Sequence, residues 1–459
     1  MLQTLKNAWK TPELKTKLLF TLLIVILYRL GSAVPVPWVN SDLVADALST
    51  SFNYAVQLLA GDAFSQATLF ALSVSPYITS SIIMQLLTIA IPALERMAKD
   101  GEEGKKKIAT ITRIVTMALA LVTAWGYASL INSQGLVEFG DINKNFGLAV
   151  IIACYCAGAA IVMWLAERIN EFGIGNGISI ILFANIVARI PTTFVNLYYM
   201  ITGANGVGNL IIAIAWAILI IAFVLAIVYL IVWFTDSERR IPVQYAKRVV
   251  GRKMYGGQSS NLPLKLNMAG VMPVIFANSI VSIPGTLATI FPNTPWIVNL
   301  AQNYFNYTKP LYVLLSVILL FAFAYFYILI SFNPVEVANN IRNNGGAVPG
   351  IRPGKPTRDY IQKILNRITF IGAVFLCIVS EVPKMIVSIF ETIKDVSSIQ
   401  AETGAVTNAI VNFYNSGAAT FMTIAFAGTS VLIVVGVILE TVRELEAQLT
   451  MRNYKGFLD

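Results

Sequence analysis

The residue types that could carry chemistry are few in this chain, and their placement argues against catalysis. There is no histidine among the 459 residues. That removes Ser-His and Cys-His nucleophilic catalysis and histidine metal ligation together. The three cysteines, Cys154, Cys156 and Cys377, all lie in apolar runs. Cys154 and Cys156 stand two apart, on different helix faces, so the set has neither a disulfide framework nor a metal-ligand spacing. The acidic residues read as span-end or loop residues: Glu167, Asp236, Glu336, Glu381 and Glu440. Only Arg29 falls near the centre of an apolar run, where it could snorkel outward. A proton-coupled carrier needs an ionisable group buried mid-span. Neither that group nor a nucleophile beside a base is legible here, so an intramembrane enzyme is the poorest reading.

What the apolar runs do carry is aliphatic pairs and small neutral polar groups. Val74 and Ile78 are four apart, and so are Ile178 and Leu182. Each pair presents one helical face. Such faces usually meet lipid, but a ring of them turned inward would form a hydrophobic constriction that blocks water and ions by dewetting. Beside the pairs stand the stretches GIGNGISI (173–180) and NMAGVMPVIFA (267–277), followed by Asn278, Ser279 and Ser282. Glycines permit close helix approach, and Asn or Ser can bond across an interface or line a cavity.

These residues need membrane helices to position them. The chain is 56% hydrophobic and only 12% charged, the composition of a polytopic membrane protein. Spans are predicted near 18–34, 76–91, 108–131, 147–166, 176–190, 208–233, 268–291, 310–332, 364–390 and 420–440. The fold class expected is all-α. The stretch 61–87, GDAFSQATLFALSVSPYITSSIIMQLL, starts as a helix, breaks at Ser73, Ser75 and Pro76, and starts again. Residues 63–72 are too short to cross a bilayer core of about 30 Å, which takes about 20 helical residues. Pro76 lacks an N–H and disfavours helix just before itself. The stretch is either one kinked span or a short re-entrant plug followed by a pore-lining helix, the latter tolerable only inside protein or beside water. At the N-terminus, Arg29 within the first apolar run and the lack of a cleavage site favour an uncleaved span over a signal peptide. Leu2, Leu5 and Trp9 share one helical face, so residues 2–10 read either as a helix lying on the membrane surface or as a frayed tail.

Charge gives an orientation. Lys and Arg number 33, and they concentrate in alternate connections: 1–17, 95–113, Arg168, 235–266, 333–367 and the C-terminal tail. The opposite set holds only Lys144, Arg189, Lys309, Lys384 and Lys394. By the positive-inside rule both termini are cytoplasmic and the number of crossings is even. Ten spans satisfy this, so the plug must enter and leave on one face. Its approach carries Asp42, Asp46 and Asp62 without Lys or Arg, which places it on the outer face. Two cytoplasmic loops, 235–266 and 333–363, are long, basic and rich in Pro and Gly, with no obvious helix. Loops of this length are more often functional than idle, and an anionic partner such as ribosomal RNA or an acidic protein surface would fit them.

At this point the motifs match a known family. The chain resembles the SecY family, central subunits of bacterial protein-translocation channels, from about residue 18 to 439. The resemblance rests on LFALSVSPYITSSIIMQLL (69–87), ERINEFGIGNGISII (167–181), RRIPVQYAKR (239–248), LPLKLNMAGVMPVIFA (262–277), NPVEVANNIR (333–342), GAVPGIRPG (346–354) and AGTSVLIVV (427–435). It implies ten helices in two pseudo-symmetric five-helix halves around a pore: 1–190, an outer hinge at 191–207, and 208–459. It implies a pore ring at Val74, Ile78, Ile178, Leu182, Ile275 and Ile433, the last aligned on the weakest motif. The plug would be 63–72, with Ala63, Phe64, Ser65, Leu69, Phe70 and Leu72. A lateral gate would run between the helix from Pro76, with Thr79, Ser80 and Gln85, and the helix from Met268, with Asn278 and Ser282. Arg239, Arg240, Lys247, Arg248, Arg252, Arg352, Lys355 and Arg358 would dock a SecA motor ATPase or a ribosome, Arg352 foremost. Companion subunits SecE and SecG, signal sequences, translocating polypeptides and membrane lipid are the implied partners, and the bacterial cytoplasmic membrane the implied location. No cofactor or metal is implied. The family often has a short connection before the last span, whereas 391–420 is long here, with an amphipathic piece near 406–414. The rival reading is a secondary transporter with a discontinuous helix at its binding site.

Overall fold

The computed structural model describes residues 2–41, 43–44, 62–140, 143–202, 207–245, 248–250, 253–255, 259–291, 294–305, 309–399 and 427–455. Its first half comprises α1 (Leu2–Lys10), α2 (Pro12–Gly31), α3 (Asp62–Ser65), α4 (Ser75–Ala90), α5 (Pro92–Lys99), α6 (Gly101–Ser133), α7 (Lys144–Phe172), α8 (Gly177–Val187) and α9 (Ile190–Thr202). Next, α10 (Val207–Asp236) leads into strands β1 (Glu238–Tyr245), β2 (Arg248–Val250), β3 (Lys253–Tyr255) and β4 (Ser259–Lys265). After these come α11 (Met272–Val281), α12 (Ile283–Ile290), α13 (Pro295–Asn303), α14 (Pro310–Ser331) and α15 (Pro334–Asn343). The chain ends with β5 (Gly346–Ala347), α16 (Lys355–Ile399) and α17 (Ala427–Lys455).

Every predicted span holds a helix or a broken pair of helices. Five described helices are long and apolar enough to cross a membrane alone, and the pair α4 and α5 would make a sixth. That pair bends by 100°. The break falls at Pro92, which lacks the N–H that would carry the helix on. Helix α8 is only 11 residues, about 16 Å long, and depends on its neighbours as expected. Its start explains GIGNGISI: Asn176 caps the helix by accepting from the Ile178 N–H, and Asn170 accepts from the Gly177 N–H at 2.7 Å.

The reading of the two long basic loops as having no obvious helix is corrected for 333–363, which holds α15, and both loops also carry strands. β1 pairs antiparallel with β4 from Glu238↔Lys265 to Gln244↔Ser259, and with β5 at Gln244↔Ala347. One three-stranded sheet, ordered β4-β1-β5, thus joins both loops. Along β1, Ile241 and Val243 are buried while Arg240, Pro242 and Gln244 are exposed, the two-residue period of a half-covered strand. The covered face packs with Ile341 of α15 and with Ile361, Leu365 and Ile368 of α16. Asn333 caps α15, accepting from the Val335 and Glu336 N–H groups. The expected hinge at 191–207 is mostly the helix α9, and α16 runs on to Ile399, well past the predicted end at 390. The amphipathic piece expected near 406–414 lies outside the described residues. The terminal helices meet: the Thr4 hydroxyl donates to Glu446 at 2.9 Å, and Ala8, Leu14, Ile174 and Leu445 share a small core.

Candidate functional site

The six aliphatic side chains expected to ring a pore come from four separated helices. Val74 is the N-cap of α4 and Ile78 lies in its first turn; Ile178 and Leu182 lie on α8, Ile275 on α11 and Ile433 on α17. The fold brings all six into one apolar cluster. Five are at most 2% exposed, and Ile178 is half-buried against them. Pro76 and Pro273 stand in the first turns of α4 and α11. A proline there gives up an N–H that had no helical partner anyway, so two helices can begin in the interior at low cost. The cluster offers water neither donor nor acceptor.

The segment from Ala63 to Leu72 packs against this cluster and a second one. Its helical part is a single turn, α3, followed by successive turns up to Val74. Ala67 and Ser73 have left-handed φ of 49° and 47°, which a continuing helix cannot accommodate. Ala63, Phe64, Phe70 and Leu72 are buried and Leu69 half-buried; of Ser65 only the backbone is described. The Phe64 ring lies 4.6 Å from that of Tyr127, whose hydroxyl donates to the Phe64 carbonyl. The Tyr155 hydroxyl donates to the Ala67 carbonyl at 3.4 Å, and the Leu69 N–H donates to the Val34 carbonyl at 2.9 Å. Gly158 is required by this packing, since a Cβ there would sit 2.0 Å from the Leu69 carbonyl oxygen.

A polar knot closes the segment, and sequence reasoning missed it. Tyr28 stacks on Phe70 at 5.6 Å. Its hydroxyl donates to Asn185 Oδ1 at 2.8 Å and lies 3.0 Å from Ser73 Oγ. Asn185 Nδ2 in turn donates to Ser73 Oγ at 3.0 Å. Because the one Tyr28 hydrogen goes to Asn185, Ser73 is the donor to Tyr28. Each group donates once and accepts once around a closed triangle. All three side chains are buried, so the ring satisfies groups that would otherwise be costly to desolvate.

The expected gate residues divide. α4 and α11 are in contact. Thr79 donates to the Ser75 carbonyl of its own helix at 3.1 Å, and Gln85 is exposed. Ser80 is engaged by Thr116 of α6, and Ser282 by the Ser279 carbonyl. Asn278 accepts from Lys384 Nζ at 3.3 Å. That bond overturns one expectation about charge. Lys384 is 4% exposed and Glu381 2%, and they pair at 2.9 Å within α16, inside the bundle and not in an outer connection. The i,i+3 spacing of opposite charges in an otherwise apolar run was the available signal.

Of the expected docking residues, Arg239 and Arg240 are exposed on β1, with Arg240 paired to Glu238 at 2.7 Å. Arg352 is exposed in the turn leading to α16 and Lys355 is exposed at its first residue, and Arg358 pairs with Asp359 at 2.7 Å. The Arg352 carbonyl is held by the Thr357 hydroxyl at 2.8 Å, between Gly350 and Gly354 at φ 80° and 100°. The β1–β5 pairing therefore puts both basic loops on one platform. Lys247 and Arg252 lie outside the described residues, and Arg248 is described only as backbone in β2. Nearby, burial lowers the pKa of the Lys265 ammonium, with Arg443 adding to the effect.

No group of histidine, cysteine or acidic residues able to hold a metal is found among the described residues. The comparisons point one way. The SecY family model matches residues 68–442. A protein translocase subunit SecY from Streptomyces galbus is 40% identical over the full length of both chains. One from Thermus thermophilus is 38% identical, covering all of this chain and 98% of its own. Among solved structures, a protein-conducting channel matches with a TM-score of 0.63 at 17% identity, over 94% of this chain and 92% of its own. Sec61 from a canine ribosome–channel complex matches with a TM-score of 0.59 at 15% identity, again over 94% and 92%. At such identities the structures speak for the fold, and the full-length sequence relatives speak for the family. This chain, a helical membrane protein in which four helices bring six aliphatic side chains into one buried cluster, belongs to the SecY family.

Proposed function

We propose that this chain is a protein-conducting channel that passes unfolded secretory polypeptides across the cytoplasmic membrane and releases apolar helices sideways into lipid. The convergence of Val74, Ile78, Ile178, Leu182, Ile275 and Ile433 in one buried cluster carries this reading. An aliphatic ring seals against water when empty and parts around a chain without binding any sequence strongly. The segment from Ala63 to Leu72 is the plug, and α4 and α11 flank the lateral gate. A signal sequence that binds better to the parted gate shifts the balance toward the open state.

In this reading ten crossings form two halves, 1–190 and 208–459, with both termini in the cytoplasm of a bacterium. The platform of β1, β4, β5 and the 350–358 turn docks a SecA motor or a ribosome, with Arg352 central, and SecE and SecG complete the complex. Relatives of this fold have been seen in complexes with ribosomes. The transporter reading loses ground because, among the described residues, the one nearly fully buried carboxylate, Glu381, is paired with Lys384.

The test is covalent capture. A secretory chain stalled in transit should crosslink to Ile78→Cys and to Ile275→Cys. Absence of adducts at both, with robust adducts at a lipid-facing control such as Leu225→Cys (Leu225 is 63% exposed), would sink the channel reading.

A further inference from the structure

The buried ion pair on α16 has no part in the function described so far. Lys384 Nζ bonds Glu381 Oε1 at 2.9 Å and Asn278 Oδ1 at 3.3 Å, and lies 5.8 Å from the centre of the Tyr312 ring on α14. The Ser380 hydroxyl donates to Glu381 Oε1 at 3.1 Å. Glu381 Oε2 is buried with no hydrogen-bond partner. A buried pair must recover the cost of desolvating two charges, and one left with an unsatisfied oxygen is poorly built for stability. Its retention in an apolar helix calls for another role. In membrane segments such charges mark function more often than packing.

The geometry names that role. Among the described residues, Lys384–Asn278 is the side-chain hydrogen bond that ties α11 to another helix. α11 also makes apolar contacts, such as Phe276 against Phe323 at 5.8 Å and against Tyr327 at 6.4 Å. Apolar contacts slide; a charge-assisted hydrogen bond in low dielectric is made or broken. Gly428 of α17 abuts α16 so closely that a Cβ would fall 2.5 Å from the Val379 carbonyl oxygen. Pro383 within α16 leaves that carbonyl without its usual N–H partner.

We propose that Lys384 is a positioning residue that tethers the gate helix α11 to α16 through Asn278, held ready by Glu381, and that parting α11 from α4 for a passing chain requires this tether to release. The inference rests on reading α4 and α11 as the gate.

The experiment uses the assembled complex in vesicles and two secretory substrates, one with a full signal sequence and one with a shortened apolar segment. The readout is the ratio of weak-signal to full-signal transport. Glu381→Gln combined with Lys384→Met removes the tether without leaving a lone buried charge, and should raise the ratio at least fivefold. Asn278→Leu should raise it similarly, and serves alone if the double variant does not assemble. Adding Asn278→Leu to the double variant should change the ratio by less than twofold. Lys384→Arg keeps donors for Asn278 and should stay within twofold of the unaltered chain. An unchanged ratio in the neutral variant, an Arg variant that behaves like Met, or multiplying effects would overturn the tether. Stalled-chain capture at Ile275→Cys separates the two ideas. Adducts with an unchanged ratio refute the tether alone, and loss of adducts refutes the gate reading beneath it.

Discussion

Tyr28→Phe deletes one oxygen and leaves the ring, its stack on Phe70 and the surrounding packing intact. That oxygen makes two of the three bonds of the buried triangle, to Asn185 at 2.8 Å and to Ser73 at 3.0 Å. Interhelical hydrogen bonds in membrane proteins average about 0.6 kcal/mol, and soluble ones about 1. Two lost bonds therefore cost about 1–2 kcal/mol. The stranded Ser73 hydroxyl adds to this, since a buried unsatisfied group costs about 1–3 kcal/mol. Ser73 immediately follows the proposed plug, 63–72, so on that reading the triangle exists only while the plug is in place, and the loss falls on that state. Taking about 2 kcal/mol as the lower end of that sum, the displaced population rises at least about 30-fold, at 1.4 kcal/mol per factor of ten. The assay is alkylation of Ala71→Cys, a position 0% exposed, in a background with the three native cysteines replaced. When opening and closing are fast, labelling by a membrane-impermeant maleimide tracks the open population. A rate within twofold of the Tyr28 parent would refute the triangle as a latch. Replacing all three partners by apolar residues removes the stranded groups as well, and should label more slowly than Tyr28→Phe.

Gly158→Leu places a side chain where the Leu69 carbonyl already sits, and should raise labelling of Ala71→Cys at least tenfold. Ile361→Ala, at a position 0% exposed beneath the sheet, should cost about 2–5 kcal/mol of local packing; limited proteolysis should then cut within 235–266 and 333–363 at lower protease concentrations. Arg352→Glu reverses charge on the exposed turn and should reduce motor-driven export at least tenfold, with protease resistance unchanged. Normal export by that variant would count against docking there.

The plug and its surroundings show how far local pattern reaches. The break at Pro76 and the apolar run before it are legible because proline and hydrophobicity act on adjacent residues. The left-handed turns at Ala67 and Ser73 are not, because neither residue is one that ordinarily signals φ above zero. The sheet was hidden for a related reason. β5 is two residues long and pairs with a strand about a hundred positions earlier, so neither loop carries a strand signal strong enough to show its partner.

Composition and periodicity by themselves determined the membrane class, the helix starts at Pro76 and Asn176, the aliphatic pairs and the want of catalytic groups. Each follows from the solvent a residue prefers or from the backbone of its immediate neighbours. Tertiary structure alone decided that Ile78, Leu182, Ile275 and Ile433 share one cluster and that Tyr28 reaches Asn185, 157 positions away. It also decided that Lys384 and Glu381 are interior. Read locally, two charges near a span end belong in water. In the folded chain each removes much of the other's reason to be there, and Asn278, 106 positions away from Lys384, supplies the remaining partner.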